Sequence, residues 1–105
     1  MIKATFKTDN GQVEAELLRL TFYADPGHGW LEVPRDLLHG LGIADKITPY
    51  SYQRMDKVFL EEDCDFATFA LAMKERGLPF DVVETHTNRD SFVRSLPRYK
   101  VEETA

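Results

Sequence analysis

A single cysteine, Cys64, leaves nothing for an intrachain disulfide, and a fold built without disulfides fits a reducing compartment. No apolar run approaches the roughly 18 residues of a membrane span. The opening Met1-Ile2-Lys3-Ala4-Thr5-Phe6-Lys7 also lacks the uninterrupted apolar stretch of a secretion signal. The expected address is therefore the cytoplasm, with no membrane association. Positive charge is in short supply: 13 Lys and Arg stand against 18 Asp and Glu, for a formal net charge of -5. That balance opposes a phosphate backbone, so nucleic acid is disfavoured and the default partner is a protein or a small molecule. Repeats, linkers and low-complexity runs are missing too, and 105 residues are too few for two independent cores. A single domain over residues 1–100 is expected, with 101–105 a loose C-terminal tail.

What is present is enough apolar material for one core, with 43% hydrophobic residues and 30% charged ones to solvate the exterior. Ile2, Ala4 and Phe6 alternate with polar neighbours, the period of a strand with one buried face. Asn10-Gly11 suits a two-residue type I′ hairpin, which would set Phe6 opposite Ala15, Ala4 opposite Leu17 and Lys7 opposite Glu14. Near Leu17-Leu18 the alternation slips phase, as at a bulge or where a strand passes into a new environment. Trp30 to Val33 reads as a returning strand, and Pro34 as the first residue of a short helix carrying Leu37, Leu38 and Leu41. Thr48 to Gln53 and Val58 to Glu61 form a second hairpin around Arg54-Met55-Asp56. The main helix follows: Asp63 or Asp65 can cap it, Phe66, Phe69, Ala70 and Met73 recur at helical spacing, and Gly77 stops it. Phe80 to Thr85 is a further strand, and one or two helical turns fit between Asp90 and Leu96. The expected fold is α+β: an antiparallel sheet of about five or six strands packed on one main helix, with short extra helical turns near Arg35 and Phe92.

Several groups could carry chemistry. In Asp25-Pro26-Gly27-His28-Gly29-Trp30, a type II turn would bring Asp25 and His28 within about 7 Å, where a carboxylate can orient an imidazole for proton transfer. The plainer and favoured reading is that Asp25 caps the turn and His28 is solvated. Glu61, Glu62, Asp63 and Asp65 crowd the start of the main helix. There they complement the macrodipole before anything else, with protein contact and a divalent cation as the lesser alternatives. The metal alternative would use Asp25, His28, Glu62 and Asp63. Cys64 reads as a buried structural thiol. Trp30, Tyr50 and Tyr52 suit either core or contact surface. Arg94 and Arg98 could grip an anionic group, although pairing with Glu61 to Asp65 is the favoured reading.

Tyr23-Ala24-Asp25-Pro26-Gly27-His28-Gly29-Trp30, Leu41-Gly42-Ile43, Tyr50-Ser51-Tyr52 and Leu60-Glu61-Glu62-Asp63-Cys64-Asp65 together resemble a group of small proteins encoded by bacteriophages, prophages and plasmids. The resemblance spans residues 20–99 and carries no established activity to any residue. It implies a bacterial host and a mobile-element setting, in which short accessory proteins bind and modulate a host or element protein.

The leading expectation is a non-enzymatic accessory protein of the bacterial cytoplasm, needing no cofactor, that modulates a protein partner in host takeover or counter-defence. Its contact residues would be Asp25, His28, Trp30, Tyr50, Tyr52, Glu61, Glu62, Asp63, Arg94 and Arg98. The first alternative is a small metal-dependent or acid–base enzyme with Asp25 and His28 as catalytic pair, helped by Glu61 to Asp65. The second is a single-strand nucleic-acid binder using Trp30, Tyr50, Tyr52 and the C-terminal arginines. Exposed edge strands leave room for a homodimer.

Overall fold

The computed structural model describes residues 2–8 and 11–101, with side chains described from Leu17 onward. Strands β1 (Ile2–Thr8) and β2 (Gly11–Ala24) form an antiparallel hairpin. Phe6 pairs with Val13, Ala4 with Ala15 and Lys7 with Gln12. Each β1 residue thus pairs two positions earlier in β2 than an Asn10-Gly11 turn would set. The shift is even, so the alternation stays in phase. Residues 9–10 and 102–105, where part of the turn and most of the tail were expected, lie outside the described residues. At Leu17-Leu18 β2 runs on and changes partner: pairing with β1 ends at Leu17, and pairing with β6 (Phe80–His86) starts at Leu18.

Strand β3 (Gly29–Pro34) returns along β2, then pairs with β5 (Lys57–Glu61), whose other neighbour is β4 (Tyr52–Arg54). The order is β1-β2-β3-β5-β4, with β6 also on β2. The fold is α+β, and the sheet is mixed rather than wholly antiparallel, because β2 and β6 run parallel. A parallel pair needs a crossover, and α2 (Asp65–Glu75) supplies it by carrying the chain from β5 back to the β2 side.

Strand alternation divides the interior into two layers. On one face Leu31 and Val33 of β3 and Val58 and Leu60 of β5, all fully buried, meet Phe69, Ala72 and Met73 of α2. Phe66 and Phe69 stack edgewise on Phe22 and Phe80, with ring centroids 5.9 and 5.2 Å apart. Helix α1 (Arg35–Gly40) adds Leu38 to this layer. Pro34 is not its first residue but the last of β3, extended at ψ 136 and still in register with Lys57. Gly77, at φ +66, ends α2 in the left-handed conformation that lets Leu78 N–H donate to the Met73 carbonyl.

On the opposite face Trp30, Tyr52, Phe59 and Val93 form a smaller aromatic layer, with Tyr23 and Leu96 at its margin. Its cover is the C-terminal segment, a 3-10 turn over Phe92–Ser95 followed by an extended stretch. This stretch runs beside β4: Gln53 N–H donates to the Pro97 carbonyl at 2.9 Å, and Tyr99 N–H to the Ser51 carbonyl at 2.8 Å. Among the described residues no helix is long and apolar enough to cross a membrane.

Candidate functional site

Asp25 sits where β2 ends, and its carboxylate does the work that a type II turn would leave to the backbone. Gly27 is not in the left-handed region that such a turn requires. Instead Gly27 and His28 donate their N–H groups to Asp25 Oδ1, each at 3.0 Å, an Asx-type closure. Asp25 Oδ2 accepts from Ser91 N–H at 2.9 Å and from Arg94 Nε at 2.6 Å, and Arg94 Nη2 completes a bidentate pair on Oδ1 at 2.9 Å. The Arg94 guanidinium, helped by these backbone N–H groups and opposed by burial, holds the carboxyl well below the usual carboxylate range. Asp25 is thus a strut favoured in its ionised form. It meets His28 through the backbone N–H, as the favoured turn-capping reading expects, and the alternative Asp25–His28 catalytic pair does not form.

A second buried carboxylate holds the other side. Asp65 is fully enclosed and accepts from Thr48 N–H at 3.0 Å, Thr48 Oγ1 at 2.7 Å and Ser51 Oγ at 2.5 Å, while Ser51 Oγ accepts from Glu61 N–H at 2.9 Å. It therefore ties the Thr48–Ser51 turn to the start of α2 and does not cap that helix. Nor does Asp63: Cys64 stands at the N-cap position without a side-chain bond. Glu61 closes the approach to the helix by accepting from Asp63 N–H at 2.7 Å and Cys64 N–H at 3.1 Å. Cys64 is an exposed free thiol, not the buried one expected, because the turn directs it outward once Asp65 takes the interior place.

Between these two struts lies a surface cavity of about 490 Å³. Trp30, 2% exposed, and Tyr52, 8% exposed, meet edge to face at its base with ring centroids 6.0 Å apart. Arg94 stacks over Trp30 at 5.2 Å from the ring centroid and Arg98 over Tyr52 at 4.6 Å. His28, its ring 6.1 Å from that of Trp30, lies at one margin. Tyr50, 68% exposed, stands at the rim, and Glu61, Asp63 and Cys64 line the remaining wall.

Eight expected contact residues therefore border one space: His28, Trp30, Tyr50, Tyr52, Glu61, Asp63, Arg94 and Arg98. Asp25 supports it from behind and Glu62 stands outside its lining. The arginines do not pair with Glu61 to Asp65. Arg94 is committed to Asp25, and Arg98 to the Tyr52 ring and, at 3.4 Å, the Pro49 carbonyl. The Asp25, His28, Glu62 and Asp63 metal set does not assemble, since no group of three His, Cys, Asp or Glu suited to a metal exists among the described residues. Asp65 and Ser51 were missing from the expected set because acidic residues at a helix start read as surface caps. The spacing of Thr48 and Ser51, two hydroxyls flanking Pro49 and Tyr50, is the one sequence signal that a carboxylate would be received there. Comparison of the chain with protein-family models, curated proteins and solved structures finds no match to any of them.

Proposed function

We propose that this protein is a non-enzymatic accessory protein that works by holding a segment of a protein partner in the cavity between Trp30, Tyr52 and the α2 approach. The observation that carries the reading is the state of Asp25. Its two oxygens are saturated by Arg94 and three backbone N–H groups, so Asp25 shapes the site and is not available as the base of an Asp25–His28 pair. Buried aromatic rings beneath exposed arginines and an exposed tyrosine are the residue types that concentrate binding energy at protein interfaces. The resemblance of its motifs to phage, prophage and plasmid proteins supports a bacterial cytoplasmic setting, with host takeover or counter-defence as the role. Affinity capture from bacterial lysate with wild type and Tyr50→Ala side by side tests it. A partner retained by wild type and lost by the equally folded variant is expected. Equal recovery by both proteins, or recovery of nothing by either, removes this cavity from partner binding.

A further inference from the structure

We infer that the segment held in the cavity presents a carboxylate beside a large apolar side chain, with the carboxylate seated on Arg98 and the outer edge of Arg94; this rests on the partner-binding reading above. A guanidinium carries five N–H donors in a fixed plane. Arg94 spends Nε and Nη2 on Asp25, which leaves both donors of Nη1 unassigned among the described residues. Arg98 makes one long bond, from Nη1 to the Pro49 carbonyl at 3.4 Å, and its Nε and Nη2 have no partner there. The Arg94 plane is fixed by its bidentate pair with Asp25 and lies over Trp30, and Arg98 lies over Tyr52. The Arg94 donors are therefore oriented before a ligand arrives, and Arg98 is biased toward the cavity by its ring contact.

The same stacking argues against a cationic ligand. An aromatic cage needs bare ring faces, and here the chain's own arginines already cover Trp30 and Tyr52. The acidic wall is less available than its composition implies, because both Glu61 oxygens are engaged by the N–H groups of Asp63 and Cys64. Asp63 remains, exposed at the lip, and it disfavours a string of phosphates while leaving room for one carboxylate on the arginine side. Tyr50, largely exposed beside the cavity, offers the apolar wall against which a leucine or aromatic side chain of the partner packs.

Random heptapeptide phage display on the immobilised full chain, with Arg98→Gln in parallel, tests this. Asp or Glu next to Leu, Phe, Tyr or Trp should be enriched on wild type alone. A synthetic copy of the enriched peptide should bind about tenfold more tightly than its Gln analogue, the size expected of a charge-assisted bidentate contact. That preference should vanish on Arg98→Gln and be kept or increased on Asp63→Asn. Quenching or shift of Trp30 fluorescence, the chain's only tryptophan, places the peptide in the cavity. Enrichment of basic or uncharged motifs, an equal affinity for the Gln analogue, an unmoved Trp30 signal, or salt-sensitive binding of a short oligothymidylate in place of peptides would each overturn the inference. A captured partner that depends on Tyr50 but ignores Arg98 would overturn it while leaving the partner-binding reading intact.

Discussion

The two faces of the sheet are built by different means. Under α2 and α1 the interior is aliphatic and phenylalanine-rich, and its members are buried by one another. Under the C-terminal segment the layer is thinner and is held by directional contacts: two buried aspartates, two stacked arginines and a short run of backbone hydrogen bonds. Apolar packing is nondirectional and closes up. Hydrogen-bonded carboxylates and guanidinium planes fix positions at a distance, so that face can keep a cavity without collapsing into it.

That contrast can be broken by removing one element from each face. Phe69→Ala, on the helix side, should cost about 3–5 kcal/mol, the largest effect here, seen as a fall in Tm across the whole transition. Asp25→Asn should cost about 2–3 kcal/mol near neutral pH, less than a fully buried pair because Arg94 is 33% exposed. The folded-state carboxyl of Asp25 titrates below its unfolded value, so its stabilisation is fully present above about pH 4 and is lost as pH falls toward the folded value. Wild type and Asp25→Asn should therefore converge in Tm as pH is lowered from about 7 toward 2. A constant gap would mean that the charge of Asp25 is not what stabilises the turn. Ser51→Ala breaks the relay from Glu61 N–H to Asp65 and should cost about 1–2 kcal/mol by chemical denaturation, together with a change in Trp30 emission. Arg98→Gln removes one exposed stacking contact and should cost only about 0.5 kcal/mol, so any loss of ligand binding it causes is not a folding defect.

The helix face was the more readable of the two. Phe66, Phe69, Ala70 and Met73 with Gly77 announce α2, and the Met55-Asp56 turn between β4 and β5 falls where the hairpin pattern places it. The direction of β6 was not readable, because Phe80, Val82 and Val83 put apolar residues in both phases and strand orientation follows from the path of α2. At the cavity the residue types were legible, while the pairings were not. Pro26-Gly27 suggests a type II turn, yet a carboxylate two residues earlier competes for the same N–H groups and wins. Arg94 meets Asp25 across 69 residues of chain, a separation over which charge pattern alone chooses no partner. Asp65 looked like one acid among several, and its burial depends on two hydroxyls that precede it by more than a dozen residues.

The extended stretch from Pro97 to Tyr99 lies along the outer side of β4 and occupies hydrogen-bonding groups there that a foreign strand would otherwise use. It covers this edge of the sheet and, through Arg98, also borders the cavity. A ligand that levered this stretch away would free a sticky margin, so affinity gained by prying at Arg98 from behind would be traded against self-association.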